Sequence, residues 1–268
     1  TQSMKSQIHF KIIMEIWKNK VAILTGAGQG IGAQIAKDLV KNGMRVIGFE
    51  PTEEKAGKML ESIKSWGKFD GQLVPCKCDI SNSEDLTKAF EGIVAAYGGV
   101  DLLVNNAAIG KEDLISTGNI HNMKETINVN IYGMIACTRL AIESMKKKDV
   151  KGQIININSI SGHYMPSFAE PKINVYIASK KAMTVFNEVL REELEKANLN
   201  IKVTSISPGI VKTGLFKNGD VKFINDEFFE KNPHLTVQDI SNTILMVLSA
   251  PASICFKEMI IHALHEIY

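Results

Sequence analysis

Val21-Ala-Ile-Leu-Thr-Gly-Ala-Gly-Gln-Gly-Ile-Gly32 is the stretch of this sequence that decides the fold. A short apolar run, typical of a buried strand, leads into a glycine cluster, and the apolar spacing over residues 31–42 predicts a helix after it. Glycines let the backbone turn tightly and approach a pyrophosphate with no side chain between them. The start of the helix then offers free N–H groups and the positive end of its dipole to an anion. This order predicts a nucleotide site.

The glycine spacing departs from Gly-x-Gly-x-x-Gly, because Ile31 stands where the third glycine is expected. It fits Gly-x-x-x-Gly-x-Gly instead, at Gly26, Gly30 and Gly32. We expect these glycines, with Gln29 and Ile31, to contact the coenzyme. A tight turn without a ligand is the alternative that the glycines alone leave open.

Strand and helix patterns alternate from residue 20 to about residue 261, with no linker rich in Pro, Gly or Ser. Strands that are apolar on both faces and joined by helices predict a parallel sheet covered by helices on both faces. We therefore predict an α/β, single-domain, doubly wound fold over residues 14–268. Residues 1–13 are predicted to be an extension outside the fold, and residues 214–235 a substrate loop. The predicted strands are 21–25, 45–50, 72–78, 100–105, 152–158, 201–206 and 258–263, and the predicted helices are 31–42, 53–66, 83–97, 121–147, 175–197 and 236–249.

The composition excludes several classes of protein. The chain has 268 residues, 45% of them apolar and 22% charged, and a mean hydropathy of +0.00. These values exclude a disordered, collagen-like or membrane-spanning chain. Lys and Arg number 31 against 29 Asp and Glu, a net charge of +2 with no long run of one sign. We therefore predict neither a nucleic-acid partner nor a membrane partner.

The chain has four cysteines, too few for a disulfide framework. Cys76 and Cys78 alternate along a predicted strand and point to opposite faces, which is a poor geometry for zinc. We predict reduced thiols, no metal site and a cytoplasmic location.

Acidic residues end the second and third predicted strands. Glu50 is placed to accept hydrogen bonds from both hydroxyls of an adenosine ribose and to repel a 2′-phosphate. Pro51 follows it, and no adjacent arginine is available to hold such a phosphate. The sequence therefore predicts a preference for NAD, with NADP as the alternative. Asp79, next to Ile80, has two interpretations: a contact to the adenine amino group, or a cap on the following helix.

Tyr176 and Lys180 lie at the start of a predicted helix, and residues four apart share one helix face. A free tyrosine has a pKa near ~10 and is a poor base at neutral pH. A neighbouring ammonium and a positively charged nicotinamide ring would favour the phenolate and lower that pKa. The pair could then take a proton from an alcohol as hydride leaves. Alone, the spacing is more typical of a surface pair.

Six motifs occur together in one order along the chain: Thr25-Gly-Ala-x-x-Gly-Ile-Gly32, Asn105-Asn-Ala107, Asn128-Val-Asn130, Ser159-x-x-Gly162, Tyr176-x-x-x-Lys180 and Pro208-Gly209. With them, the chain from residue 20 onward resembles the short-chain dehydrogenase/reductase family. Residues 17–20, 154–163 and 206–211 are similar to the subgroup of insect farnesol dehydrogenases and vertebrate family member eleven. The resemblance implies a Rossmann fold and an NAD(P)-dependent oxidoreductase.

The resemblance also implies the roles of individual residues. Ser159 would hydrogen-bond the substrate oxygen, and Tyr176 would be the general acid and base. Lys180 would lower the pKa of Tyr176 and hold the nicotinamide ribose, and Asn130 would bend its helix and anchor a water. The further implied coenzyme contacts are Asn106 and Ala107 at the nicotinamide ribose, and Pro208, Gly209, Val211 and Thr213 at the carboxamide and phosphates.

We predict that the protein interconverts a hydrophobic alcohol, farnesol-like or steroid, and its aldehyde or ketone. Its pocket would be roofed by the apolar residues of two loops: Met165, Phe168, Leu215, Phe216, Phe223, Phe228 and Phe229. Packing within the loops or at a dimer contact is an equal alternative for the phenylalanines. An NADP-linked carbonyl reductase and a catalytically silent coenzyme-binding protein remain as alternatives. The resemblance further implies a homodimer or homotetramer.

Overall fold

The computed structural model describes residues 14–165, 173–215, 219, 221 and 224–266. The predicted extension over residues 1–13 lies outside the described residues. Within them, seven parallel strands form one sheet in the order β3-β2-β1-β4-β5-β6-β7. The strands are β1 Val21–Thr25, β2 Arg45–Glu50, β3 Gln72–Lys77, β4 Leu102–Asn105, β5 Gly152–Ile157, β6 Ile201–Pro208 and β7 Glu258–Ile261.

Helices connect the strands and cover both faces of the sheet, which confirms the predicted doubly wound fold. Predicted and observed bounds agree within a few residues for most elements. The helices are α1 Gly30–Lys41, α2 Glu53–Ile63, α3 Ser83–Tyr97, α4 Ile120–Ile127, α5 Met134–Lys148, α6 Asn174–Lys196, α7 Asp226–Lys231 and α8 Val237–Leu248. None of the helices in the described part of the chain has both the length and the apolar character that a bilayer span requires.

Strand β1 shows why the sheet needs helices on both faces. Leu24 packs into the apolar cluster on the α1 and α8 side, and its neighbour Ile23 into the cluster on the α3 and α5 side. Successive side chains of a strand point to opposite faces, so every residue of β1 is buried. Burial of each such side chain contributes about 2 kcal/mol. The apolar run of β1 therefore specifies a central strand.

The predicted long helix over residues 121–147 is interrupted. A π-helical segment, Asn128–Gly133, separates α4 from α5. Such a segment leaves the regular hydrogen-bond ladder locally and is frequent at functional sites. Periodicity did not reveal it, because the apolar spacing continues through the segment. The predicted substrate loop also contains a helix in its described part, α7.

The N-terminal end of the described chain is packed into the fold. Met14 is buried, and the Trp17 ring donates a hydrogen bond from Nε1 to the main-chain oxygen of Leu248 at 2.8 Å. The first described residues are therefore attached to the end of α8.

The strand order reverses between β1 and β4, since β2 lies on one side of β1 and β4 on the other. Connections leave the sheet in opposite directions at such a point and open a crevice at the carboxyl ends of the strands. The fold therefore places the glycine turn after β1 and the segment after β4 on two sides of one crevice.

Candidate active site

A cavity of about 530 Å³ occupies this crevice. Nearly all the site residues predicted from the sequence line this cavity, although they are spread over most of the chain. Two of them, Gly32 and Asn130, do not line it. The predicted residues that do line it are Gly26, Gln29, Gly30, Ile31, Glu50, Asp79, Ile80, Asn106, Ala107, Ser159, Tyr176, Lys180, Pro208, Gly209, Val211 and Thr213.

The glycines after β1 are required by backbone conformation and by close packing. Gly26 and Gly30 have φ angles of +67° and +53°, in the left-handed region that favours glycine. At Gly32 a Cβ would collide with the main-chain oxygen of Gly26. Gly32 therefore allows α1 to start tightly against the turn, and its contribution to the site is to shape the turn.

The segment after β4 fastens this turn from the other side of the crevice. The Thr25 hydroxyl accepts hydrogen bonds from the main-chain N–H groups of Asn106 and Ala107, each at 3.0 Å. The Asn106 amide donates to the main-chain oxygens of Thr25 and Gly26 at 3.1 and 3.0 Å. The Asn106 amide therefore braces the turn, and its place at a coenzyme ribose stays a prediction. Thr25 stands inside the quoted glycine motif, yet its bracing role was missed.

Glu50 reaches back to the glycine turn. Its Oε1 accepts a hydrogen bond from the Gly28 N–H at 2.7 Å, and only 5% of the residue is exposed. Burial raises the pKa of Glu50, while the Gly28 N–H and the charge of Lys55 act in the opposite direction. Lys55 also lines the cavity and was missed, because it lies in the first turn of α2 and not at a strand end.

Asp79 does not cap the helix that follows it, so that interpretation is wrong. Its Oδ1 accepts hydrogen bonds from the main-chain N–H and the hydroxyl of Ser81, at 2.9 and 2.7 Å. The N-cap of α3 is Asn82, whose side chain accepts from two N–H groups of the first turn. The contact of Asp79 with an adenine remains a prediction.

Three predicted catalytic side chains come together at the end of β5. Tyr176 is buried and shares a side-chain hydrogen bond with Ser159. Lys180, one turn further along α6, lies with Nζ at 5.6 Å from the centre of the Tyr176 ring. Its Nζ also donates a hydrogen bond to the main-chain oxygen of Ile157 at 2.8 Å. The three residues are therefore held by β5, by the turn after it and by α6.

Burial controls the pKa values of this group. It raises the pKa of Tyr176 to about 12, and the hydrogen bond from Ser159 only partly opposes it. It lowers the pKa of Lys180 to about 7. The expected lowering of the Tyr176 pKa by its ammonium neighbour is therefore not found in the protein by itself. Removal of both groups from water outweighs their mutual effect.

Asn130 lies in the π-helical segment and is almost fully buried. Its Oδ1 accepts a hydrogen bond from the N–H of Ile109 at 2.9 Å. Its Nδ2 donates to the oxygen of Ile109 at 2.9 Å and to the Ser179 hydroxyl at 3.1 Å. The side chain thus connects the segment after β4 to α6. Its anchoring of a water stays a prediction.

The segment after β6 closes the cavity over the glycine turn. A Cβ at Gly30 would lie 3.4 Å from the Cβ of Thr213, which places the predicted contact residue beside the turn. A Cβ at Gly209 would collide with the carboxylate of Glu266. That carboxylate accepts a hydrogen bond from the N–H of Ile210 at 2.6 Å. Glu266 was missed, because it is distant in sequence and belongs to no motif.

The short chain dehydrogenase family model matches residues 20–221. The chain is 39% identical over 254 residues to farnesol dehydrogenase of Aedes aegypti, covering 94% of this chain and 99% of that protein. It is 38% identical over 244 residues to dehydrogenase/reductase SDR family member 11 of Homo sapiens, covering 90% and 93%. The chain belongs to the short-chain dehydrogenase family. It is an oxidoreductase of this type.

Solved structures agree with this dehydrogenase in fold. A short-chain type dehydrogenase/reductase from Mycobacterium marinum superposes with a TM-score of 0.82 at 21% identity, over 94% of this chain and 97% of that one. An alcohol dehydrogenase from Thermococcus sibiricus, complexed with 5-hydroxy-NADP, superposes with a TM-score of 0.75 at 21% identity, over 93% and 98%.

The apolar residues predicted to roof the pocket of this dehydrogenase fall into several groups. Leu215 lines the cavity, and Met165 is 72% exposed. Phe228 and Phe229 do not line the cavity; they pack edge to face against each other and against an apolar cluster that includes Tyr176. The predicted contacts Phe168, Phe216 and Phe223 lie outside the described residues.

The described part of the dehydrogenase contains no cluster of three or more His, Cys, Asp or Glu side chains that could hold a metal ion. Its cysteines, which include Cys76 and Cys78, carry free thiols. Burial raises the pKa of Cys78 to about 12, so this thiol stays protonated at neutral pH.

Proposed function

We propose that this short-chain dehydrogenase interconverts a hydrophobic alcohol and its aldehyde or ketone, with NAD as the preferred coenzyme. The observation that carries the proposal is the group formed by Ser159, Tyr176 and Lys180 at the wall of the cavity. Farnesol-like terpenoid alcohols and steroids are the substrate classes we favour.

The crevice suits a dinucleotide. The N-terminus of α1 opens on the cavity and is not capped by the side chain of its N-cap residue, unlike those of α3 and α8. The glycines before it keep the backbone bare, and a helix start of this kind attracts a pyrophosphate. When bound, the nicotinamide coenzyme supplies the hydride acceptor or donor.

The protein supplies the proton transfer. During oxidation the Ser159 hydroxyl donates a hydrogen bond to the alcohol oxygen and orients it. The Tyr176 phenolate accepts the alcohol proton as the alcohol is oxidised, and in reduction the neutral Tyr176 phenol donates a proton to the carbonyl oxygen. Because burial raises the pKa of Tyr176, the phenolate needs positive charge nearby. Lys180 provides it when protonated, held in place by Ile157.

Glu50 supports the preference for NAD. A carboxylate that borders the cavity close to the glycine turn favours ribose hydroxyls and repels a 2′-phosphate. Lys55 favours the second candidate, an NADP-linked carbonyl reductase, because its ammonium borders the same end of the cavity. We place Glu50 first, since it is buried and fixed by Gly28, whereas Lys55 is exposed.

Apolar side chains support a hydrophobic substrate. They line the same cavity as Ser159 and Tyr176, and they come from segments after β4, β5 and β6 and from the start of α6. These residues are Ile109, Ile160, Ile173, Ile210, Leu215 and Ile224. A farnesol dehydrogenase among the relatives agrees with a long apolar substrate.

We also propose a homodimer or homotetramer formed through α5 and α6. Tyr132, Ile135, Val185 and Val189 are 40–57% exposed and lie on these helices or on the adjoining π-helical segment. Apolar side chains grouped in this way are typical of a protein contact surface. Light scattering after gel filtration tests the assembly, and a monomer at micromolar concentration would contradict it.

The decisive experiment pairs coenzymes with substrates on the purified protein. We expect NAD reduction with C10–C20 isoprenoid alcohols or hydroxysteroids, and less with short alcohols. Activity confined to polar sugars would contradict the substrate class. NADPH binding without turnover on every alcohol and carbonyl would favour the silent coenzyme-binding protein.

A further inference from the structure

We infer that Thr184 is a positioning residue that sets the placement of the Ser159 hydroxyl against the Tyr176 hydroxyl. The inference rests on the proposed function, because it adds a support to the proton-transfer group described above. Thr184 lies on α6, one turn beyond Lys180 and two turns beyond Tyr176, and is absent from the residues that line the cavity. It would therefore act through its contacts and not by touching substrate.

The Thr184 hydroxyl is the point at which three segments meet. It accepts a hydrogen bond from Nδ2 of Asn158, at the end of β5, at 3.0 Å. It donates to the main-chain oxygen of Gly162 at 3.0 Å, with the oxygen of Lys180 as a second acceptor at 3.3 Å. A single hydroxyl thus ties α6 both to the end of β5 and to the turn that follows it.

The packing around this hydroxyl leaves little room for another arrangement. A Cβ at Gly162 would lie 2.8 Å from each of three atoms: Nδ2 of Asn158, the oxygen of Lys180 and the hydroxyl of Thr184. Asn158 is buried, and its main-chain N–H is already used by the oxygen of Ile206 at 2.7 Å. The turn therefore approaches α6 closely, and polar contacts fill the space.

The turn transmits this anchoring to Ser159. The N–H of Gly162 donates to the main-chain oxygen of Ser159 at 2.9 Å, and the N–H of Ser161 donates to its hydroxyl at 3.1 Å. These bonds make residues 159–162 one short 3₁₀ unit, with Ser159 at one end and Gly162 at the other. Thr184 holds the Gly162 end against the same helix that carries Tyr176.

Loss of the hydroxyl would release this unit. Thr184→Val keeps the shape of the side chain but leaves Nδ2 of Asn158 and the oxygen of Gly162 to find other partners. Buried polar groups that lose a partner move or become solvated. A displacement of about 1 Å at a reacting group can cost about a hundredfold in rate. A small shift of the turn is therefore enough to separate Ser159 from Tyr176.

The test compares Thr184→Val with Thr184→Ser, which keeps the hydroxyl. Thr243→Val is the matched control, because Thr243 is a partly exposed helical threonine on α8 whose hydroxyl donates to the main-chain oxygen of Asp239 in the same helix. We expect Thr184→Val to lower kcat at least tenfold, with KM and the NADH dissociation constant within about threefold. We expect Thr184→Ser and Thr243→Val to keep near wild-type kcat.

The pH profile separates positioning from a general loss of stability. The hydrogen bond from Ser159 lowers the pKa of Tyr176. If Thr184→Val weakens this bond, the pH profile of alcohol oxidation should move to higher pH. This shift should be larger in Thr184→Val than in Thr184→Ser. An unchanged kcat and pH profile, with only a lower melting temperature, would overturn the inference. If Thr184→Val does not fold, Thr184→Ala is measured in the same way.

A crystal structure of the variant keeps this inference distinct from the proposed function. If the wild-type enzyme turns over no alcohol or carbonyl, the proposed function fails. The distance between the hydroxyls of Ser159 and Tyr176 still reports on Thr184 in that case. An unchanged distance in Thr184→Val overturns the inference, and a lengthened one supports it.

Discussion

The Nζ atom of Lys180 donates a hydrogen bond to the main-chain oxygen of Ile157 at 2.8 Å. The contact joins α6 to the last residue of β5, and so attaches the helix that carries Tyr176 to the strand that leads to Ser159. A buried lysine needs such a partner, because its ammonium has lost most of its water. The structure of the proton-transfer group therefore depends on this bond as well as on the spacing of Tyr176 and Lys180.

Replacement of Tyr176 by Phe removes the hydroxyl and keeps the ring. We expect kcat to fall about 10²–10⁴-fold, the usual contribution of a general acid or base. The NADH dissociation constant, measured by fluorescence, should stay within about threefold, since the ring still packs in its apolar cluster. Tyr97→Phe is the control, because Tyr97 lies at the end of α3 beside Arg45. Normal turnover by Tyr176→Phe would refute the acid–base role.

Stability should rise with pH because of Lys180. Its pKa is lowered from 10.5 to about 7 by burial. Between these values the unfolded chain binds more protons than the folded one, so the free energy of unfolding increases with pH. The free energy of unfolding of the wild type, measured relative to that of Lys180→Met, should increase by at most about 1.4 kcal/mol per pH unit. This increase ends near pH 10. Above that pH the raised pKa of buried Tyr176, about 12, makes the free energy of unfolding fall with pH.

Urea unfolding at pH 7 and pH 9 measures this effect. The difference in unfolding free energy between the wild type and Lys180→Met should grow in favour of the wild type. Lys124→Met, at an exposed lysine of α4, is the control and should show no such trend. A difference that does not change with pH would mean that Lys180 is neutral in both states or charged in both.

Coenzyme preference should respond in opposite directions to two substitutions. Glu50→Gln removes the negative charge and keeps the shape of the side chain, so binding of NADPH relative to NADH should improve about tenfold, or about 1.4 kcal/mol. Lys55→Met should weaken NADPH relative to NADH by a similar factor. Dissociation constants from calorimetry check both changes. Equal ratios in the wild type and both variants would exclude these two residues from the choice of coenzyme.

Gly32→Ala should damage the coenzyme site. The added methyl collides with the main-chain oxygen of Gly26, so the turn or the start of α1 must move. We expect NADH binding to weaken at least tenfold. Gly92→Ala is the matched control: Gly92 also lies in a helix, α3, but a Cβ there meets nothing within 4 Å. Because alanine favours helices, that variant should be neutral or stabilised by up to about 1 kcal/mol. Intact NADH binding by Gly32→Ala would contradict the role given to this glycine.

Local features of the sequence predicted the fold well. The apolar run of β1, the glycines after it and the alternation of strands and helices each depend on residues close together in the chain. So does the pairing of Tyr176 with Lys180, which a helix brings onto one face. Backbone conformation and periodicity act over a few residues, and for this reason they can be read without a structure.

One prediction was wrong and two other positions were left open, because the competing contacts are not periodic. The π-helical segment at Asn128 continues the apolar spacing of a helix and cannot be distinguished from one. Asp79 and Asn82 are both good caps, and only the path of the backbone decided for Asn82. The sequence left open whether Phe229 lines the pocket or packs elsewhere, and in the structure it packs in the apolar cluster that contains Tyr176.

The sequence by itself predicted the parallel sheet, the glycine turn at its centre and the residues that we propose for proton transfer. Tertiary structure alone decided the hydrogen bonds that surround them. The Gly28 N–H donates to Glu50, the Ile210 N–H donates to the Glu266 carboxylate, and the Thr184 hydroxyl donates to the main-chain oxygen of Gly162. Tertiary structure also decided the pKa values of Tyr176 and Lys180. The reason is physical, since burial and long-range hydrogen bonds depend on which distant segments pack together, and no local pattern records that.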